Sequence, residues 1–173
     1  GFTTDERGVK KTMRILVVSD THRKDDNYYK LLKRAGHLDL IIHCGDAEGS
    51  ETALAAAADC PVWLVQGNND FFCDLPRELE FYIGKYKFWV THGHHYYVSM
   101  GTEFLKKEAK SRDVDVVLFG HTHRPVVDME TEGVIAANPG SLSYPRQADC
   151  RPSYLLIEID REEELHFTIA YFS

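Results

Sequence analysis

Three apolar runs, "MRILVVSD" from Met13, "LDLIIHCGD" from Leu38 and "PVWLVQGN" from Pro61, each end in a short polar cluster. Runs rich in Val, Ile and Leu with polar stops read as strands buried on both faces. Helical stretches around Asp25 to Ala35, stopped by Gly36, and around Glu51 to Ala58 lie between them. The order is β-α-β-α-β, which requires parallel pairing.

From Glu80 the rhythm changes. "EFYIG" and "KFWVTHG", joined through Gly84 and Lys85, predict an antiparallel hairpin. A helix near Thr102 to Ser111 leads into a buried strand, "VDVVLFG". "RPVVDME" and "GVIAANPGS" flank a turn near Thr131 to Gly133, and "SYLLIEID" and "LHFTIAYF" flank the acidic turn "REEE". Two mixed β-sheets packed face to face and flanked by helices, a four-layer α-β-β-α sandwich, satisfy both halves. Residues 13–173 are expected to form one domain. Residues 1–12, which are polar, read as an extension, flexible or partly foreign to the natural chain.

At 173 residues, 43% hydrophobic and 27% charged, the chain has the composition of one soluble globular domain. Its net charge of −7 excludes an extensive nucleic-acid surface or binding to anionic lipid, both of which need clustered cations. No run approaches the roughly 20 apolar residues of a membrane span. With no signal peptide evident, a cytoplasmic address is expected. Cys44, Cys60, Cys73 and Cys150 form no C-x-x-C pair and read as reduced thiols.

The polar clusters carry the chemistry: "SDTH" (Asp20, His22), "HCGD" (Asp46), "GNND" (Asn68, Asn69, Asp70), "THGHH" (His92, His94, His95) and "GHTH" (His121, His123). Ligand sites of parallel α/β sheets gather beyond the carboxyl ends of strands, so these clusters are expected to meet. On extended backbone, Asp-x-His and His-x-His would aim both side chains to one face. Carboxylate with imidazole and without thiolate suits manganese, iron, zinc, cobalt or nickel.

The ordered set resembles the calcineurin-like metallophosphoesterase pattern D-x-H, GD, GN-[HCN]-[DE], H, GH-x-H. "NPGSLSYPR", Asn138 to Arg146, adds a likeness to the small cap-less phosphodiesterases of that superfamily. The resemblance covers Met13 to the C-terminus. It implies two divalent ions, manganese foremost with nickel, iron, zinc or cobalt as alternatives. Asp20, His22, Asp46 and His123 would hold the first, and Asp46, Asn68, His92 and His121 the second. A bridging carboxylate, Asp46, suits cations about 3.5 Å apart. The implied activity is hydrolysis of a small phosphodiester by a hydroxide bridging the two ions, with Asp46, Asn68 and His92 holding hydroxide and phosphate through the metals. The neutral amide of Asn68 would preserve positive charge for an anionic substrate.

Asn69 stands where the related phosphoprotein phosphatases place a proton-donating histidine. An amide cannot release a proton, so diesters with good leaving groups are expected, or a proton lent by His94. His94 is equally readable as an exposed or supporting histidine. Asn69 and Arg146 are candidates for contact with substrate, and Asp70 for hydrogen bonding to a metal ligand or to local backbone. His43 reads as a core or supporting histidine. Alternatives are a phosphomonoesterase or protein phosphatase of the same superfamily and a non-catalytic interaction scaffold, as in the similar retromer subunit. A homo-oligomer is compatible with the hairpin-rich second half.

Overall fold

The computed structural model describes residues 7–8, 11–70, 74–131, 133–143 and 151–172. Strands β1 (Met13–Val18), β2 (Leu40–His43) and β3 (Val62–Leu64) alternate with helices α1 (Asp26–Arg34) and α2 (Glu51–Ala57). The hairpin β4 (Glu78–Ile83) and β5 (Tyr86–Thr91) follows, then α3 (Glu103–Ser111) and β6 (Val116–Leu118). Two further hairpins, β7 (Pro125–Thr131) with β8 (Val134–Pro139) and β9 (Ser153–Ile159) with β10 (Leu165–Tyr171), complete the order.

The strands form two mixed five-stranded sheets, β10-β9-β1-β2-β3 and β4-β5-β6-β8-β7. In the first, β1, β2 and β3 are parallel and β9 returns antiparallel beside β1. In the second, β5, β6 and β8 are parallel, with β4 and β7 antiparallel at its edges.

Side-chain alternation explains the layering. Met13, Ile15 and Val17 of β1 point into the intersheet core with Ile42, Phe88, Val90, Val116, Leu118 and Ile157. Leu16 and Val18 face the opposite way, onto Tyr28 and Leu31 of α1 and Leu54 of α2. In the second sheet Trp89 and Val117 turn outward onto Leu105 and Ala109 of α3. A strand buried on both faces therefore reads as an unbroken apolar run, as β1 from Ile15 onward and β6 do. Each large apolar side chain buried this way contributes about 1.5–3 kcal/mol. Among the described residues no helix is long and apolar enough to cross a membrane.

The carboxyl ends of β1, β2, β3, β5 and β6 deliver the five polar clusters to one end of the sandwich. Asp20 N–H bonds Gly45 O, His22 N–H bonds Asp46 O and Gly120 N–H bonds His92 O, so these loops are tied before any side chain acts.

Candidate active site

The predicted ligands converge, but not by strand alternation. Asp20, His22, Asp46, His121 and His123 have φ of 55°, 47°, 63°, 70° and 61°. The expectation of extended backbone is thereby corrected. Each loop leaves its strand and curls left-handed, a conformation that costs L-residues about 1–3 kcal/mol and clusters at functional sites. The curl turns successive side chains inward over a short stretch, where an extended chain would carry them away along the strand direction.

Two groups of donors form. In the first, Asp20 Oδ1 lies 3.4 Å from His123 Nε2 and 3.8 Å from His22 Nε2, and the two imidazole nitrogens are 3.3 Å apart. In the second, His92 Nε2 lies 3.3 Å from Asp46 Oδ2, 3.7 Å from Asp20 Oδ1 and 3.0 Å from Asn68 Oδ1. His121 Nδ1 approaches the same Asn68 oxygen at 3.2 Å. Asp46 Oδ2 is also 3.8 Å from His22 Nε2, so this carboxylate reaches both groups.

The electrostatics fit a cation. Asp20 Oδ1 is buried and accepts no hydrogen bond. His92 Nδ1 lies 2.8 Å from Cys44 O, a contact that places the proton on Nδ1 and leaves the Nε2 lone pair facing the oxygens of Asp46, Asp20 and Asn68. Converging acceptors without a donor require a metal ion or an extra proton. Burial alone would lower the His92 pKa, but Asp46 and Asp20 outweigh it and raise it. Burial would raise Asp20, yet the His123 and His92 imidazoles hold it below the usual carboxylate range. Asp46, likewise pressed upward by burial, is carried well down by His92 and Asn69. Both aspartates are thus ionised, the state a metal needs.

Around these donors lies a supporting layer, in which Asp70 and His43 were expected from the sequence, whereas Asn69, expected at substrate, and Glu48 were not. Asp70 is buried and its carboxylate accepts the N–H groups of Asp46 (2.7 Å), Glu48 (2.6 Å) and Gly67 (2.8 Å). Both expected readings are met, since it bonds the backbone of Asp46, a candidate ligand, and the nearby backbone of Gly67. Asn69 donates its N–H to Asp46 Oδ1 at 2.8 Å and its side-chain amide to Oδ2 at 3.1 Å, which fixes the plane of that carboxylate. His43 accepts Gly45 N–H on Nδ1 at 3.1 Å, so its Nε2–H donates to Thr21 Oγ1 at 3.0 Å and joins the first two loops. Glu48 approaches His22 Nδ1 at 3.4 Å.

"NPGS" acts through hydrogen bonds of the same kind. Asn138 donates to Gly120 O and Thr122 Oγ1, and Ser141 Oγ donates to Asp20 O, so one loop holds both the "GHTH" and the "SDTH" turns. Gly67 and Gly120 are required by proximity: a Cβ on the first would strike the Asp46 carboxylate, and on the second the Ser19 hydroxyl. The visible signal for this layer was small and polar residues at strand ends, but nothing in the sequence reveals which backbone group each one meets.

His94 stands at the rim, its ring centroid 5.4 Å from that of His92, and its buried Nδ1 has no hydrogen-bond partner. Burial, with the imidazoles of His92, His95 and His121 nearby, pushes it down to about 4, so it is neutral at pH 7. Arg146 lies outside the described residues.

A sandwich of two mixed sheets that gathers carboxylate, imidazole and amide donors at its strand ends is the architecture of metal-dependent phosphoester chemistry. The chain belongs to the calcineurin-like phosphoesterase superfamily, whose domain matches residues 13–162. It is 34% identical over 152 residues to the probable metallophosphoesterase YsnB of Bacillus subtilis, covering 87% of this chain and 86% of that one. A Methanocaldococcus jannaschii protein named as a phosphodiesterase is 30% identical over 145 residues, covering 74% and 83%. Among solved structures, a Streptococcus pneumoniae protein known as a predicted phosphoesterase aligns with a TM-score of 0.76 at 26% identity, covering 95% of this chain and all of that one. Vacuolar protein sorting 29 of Entamoeba histolytica, as a single mutant, aligns at 0.73 and 26%, covering 93% and 100%.

Proposed function

We propose that the protein hydrolyses phosphodiesters at a centre of two divalent cations. Asp20, His22, Asp46, Asn68, His92, His121 and His123 would hold them, with Asp46 shared. The observation that carries this reading is the buried, unpartnered Oδ1 of Asp20 among three imidazole nitrogens. When bound, such ions supply Lewis acidity toward a phosphoryl oxygen and lower the pKa of the attacking water. Manganese is the first ion to test, then nickel, iron, zinc and cobalt.

The chain's own groups set up the reaction. Asn69 and Asp70 immobilise Asp46 from its side chain and its backbone, so the donor plane needs no reorganisation when substrate arrives. The Cys44 carbonyl holds the His92 tautomer that exposes Nε2. Asn68 adds an oxygen without a negative charge, which keeps the centre attractive to a phosphodiester monoanion despite a net protein charge of −7. Asn69 occupies the place of a proton donor without being one. That absence favours diesters with good leaving groups over monoesters, and His94 at the rim, neutral at pH 7, holds no imidazolium proton to lend there. The relative named as a phosphodiesterase supports the same choice of substrate class.

The test is hydrolysis of bis(4-nitrophenyl) phosphate and 4-nitrophenyl phosphate by metal-stripped protein, before and after restoring each ion. Metal-dependent turnover that favours the diester is expected. Asp46→Ala should lose more than about 100-fold, because even groups that merely support ligands cost 10–100-fold. A series of aryl diesters should slow as the leaving phenol becomes more basic; a rate independent of basicity at a chemistry-limited step would reveal a general acid and remove the argument from Asn69. The likeness to vacuolar protein sorting 29 favours a second reading, an interaction scaffold. Absence of metal-stimulated turnover of both esters would select it.

A further inference from the structure

A cavity of about 820 Å³ adjoins the donor cluster, beginning at Asn68 and His94 and running to Arg77 and Tyr96. That is near the top of the ~300–1,000 Å³ range of small-molecule sites and far more than one phosphate fills. Its charges are unequal in availability. Asp70 is saturated by three backbone N–H groups. Glu78 accepts Trp89 Nε1–H at 3.1 Å, pairs with Arg112 at 3.0 Å and takes the hydroxyls of Tyr96 and Thr91. Arg77, exposed and lining the same space, has no ion-pair partner among the described residues. Arg112 is shared with Glu80 and Glu108, so among the described residues Arg77 is the one side-chain cation that lines the cavity and can meet an anionic ligand. One wall is aromatic: His94 and His95 lie with ring centroids 4.0 Å apart, and Tyr96 continues the wall edge-on to Trp89.

Resting on the phosphodiesterase reading above, we infer that this cavity binds the substituent carried by the scissile phosphate, and that the substituent is nucleotide-like, an aromatic ring bearing a second phosphate. The ring would lie along His95 and Tyr96, and the second phosphate would meet the Arg77 guanidinium, which presents a forked donor pair to such groups. A single available cation on a chain of net charge −7 suits one extra phosphate, not a polymer, whose binding needs a row of cations.

Three chromogenic diesters separate the parts: bis(4-nitrophenyl) phosphate, the 4-nitrophenyl ester of thymidine 5′-phosphate, and that ester with an added 3′-phosphate. Calorimetric binding of thymidine 3′,5′-bisphosphate against thymidine 5′-phosphate gives a readout without turnover. The 3′-phosphate is expected to lower KM, and the Kd of the free nucleotide, by about tenfold. Arg77→Lys should keep most of that ratio, Arg77→Gln should bring it to about one, and Arg77→Glu should invert it. Because each variant is read as a ratio between two ligands, partial loss of folded protein cancels. Equal KM for the two thymidine esters, or a ratio unmoved in Arg77→Glu, overturns the inference and leaves the phosphodiesterase reading intact. No turnover of any of the three esters overturns that reading and this inference together.

Discussion

A carboxylate that accepts three backbone N–H groups cannot be replaced by anything shorter or less charged without consequence. Asp70 ties the turn after β2 to the turn after β3 through the N–H groups of Asp46, Glu48 and Gly67, yet it is not among the proposed ligands. Asp70→Ala leaves those buried groups unsatisfied and is expected to cost about 3 kcal/mol in urea unfolding. It should also weaken metal binding about 10–100-fold in a competition titration, because the Asp46 backbone is then free to move. Asp70→Asn keeps one acceptor oxygen and should fall between. Equal metal affinity in Asp70→Ala and wild type would show that Asp46 is held by Asn69 alone.

At the scale of elements, the strand-to-loop junctions matter more than the strands. His43, the last residue of β2, joins its loop to the one after β1. Burial outweighs the pull of Asp20 and Asp70 and lowers its pKa from an ordinary 6.5 to about 4. The folded protein thus declines a proton that the unfolded chain accepts. Stability is full above pH 6.5 and is lost as the pH falls from 6.5 toward 4, by up to about 3 kcal/mol. Urea unfolding of metal-free protein at pH 7 and pH 4.5 checks this against His43→Asn, whose amide oxygen can still accept from Gly45 but does not titrate. The variant should be the less acid-sensitive of the two; identical pH dependence would mean that His43 takes up a proton while folded.

The elements themselves were legible because burial on both faces leaves an apolar run, and because Gly84 with Lys85 marks a two-residue connection between β4 and β5. The residues that converge at the candidate site were legible as an ordered set of polar strand ends. What sequence reading missed is long-range or conformational: the left-handed backbone of Asp20 and His121, Asn138 reaching Gly120 and Thr122, and Glu78 gathering Trp89, Tyr96 and Arg112. No local periodicity encodes the partner of a hydrogen bond eleven or more residues away.

For the whole molecule, the intersheet core is the common support of both sheets and, through their ends, of the site. Phe88 is fully buried there and stacks on Phe81 with centroids 5.7 Å apart. Phe88→Ala is expected to cost about 3–5 kcal/mol by urea unfolding with an unchanged m-value, from lost transfer energy and the cavity left behind. A loss below about 1 kcal/mol would mean that the two sheets repack freely across their interface.

Five of the seven proposed metal-binding positions hold the left-handed backbone of the site against its own preference, a strain of about 5–15 kcal/mol in all. The conformation that aims the donors is one the isolated loops would abandon, so rigidity at this end of the molecule is lent to the loops by the sandwich and by any bound cation. Selection for stability alone would drift toward glycine and asparagine at these places and would dissolve the site while improving the fold. Thermal hardening of this protein is therefore better sought on its helical faces, because stabilising the strand ends directly and keeping the site are opposing aims.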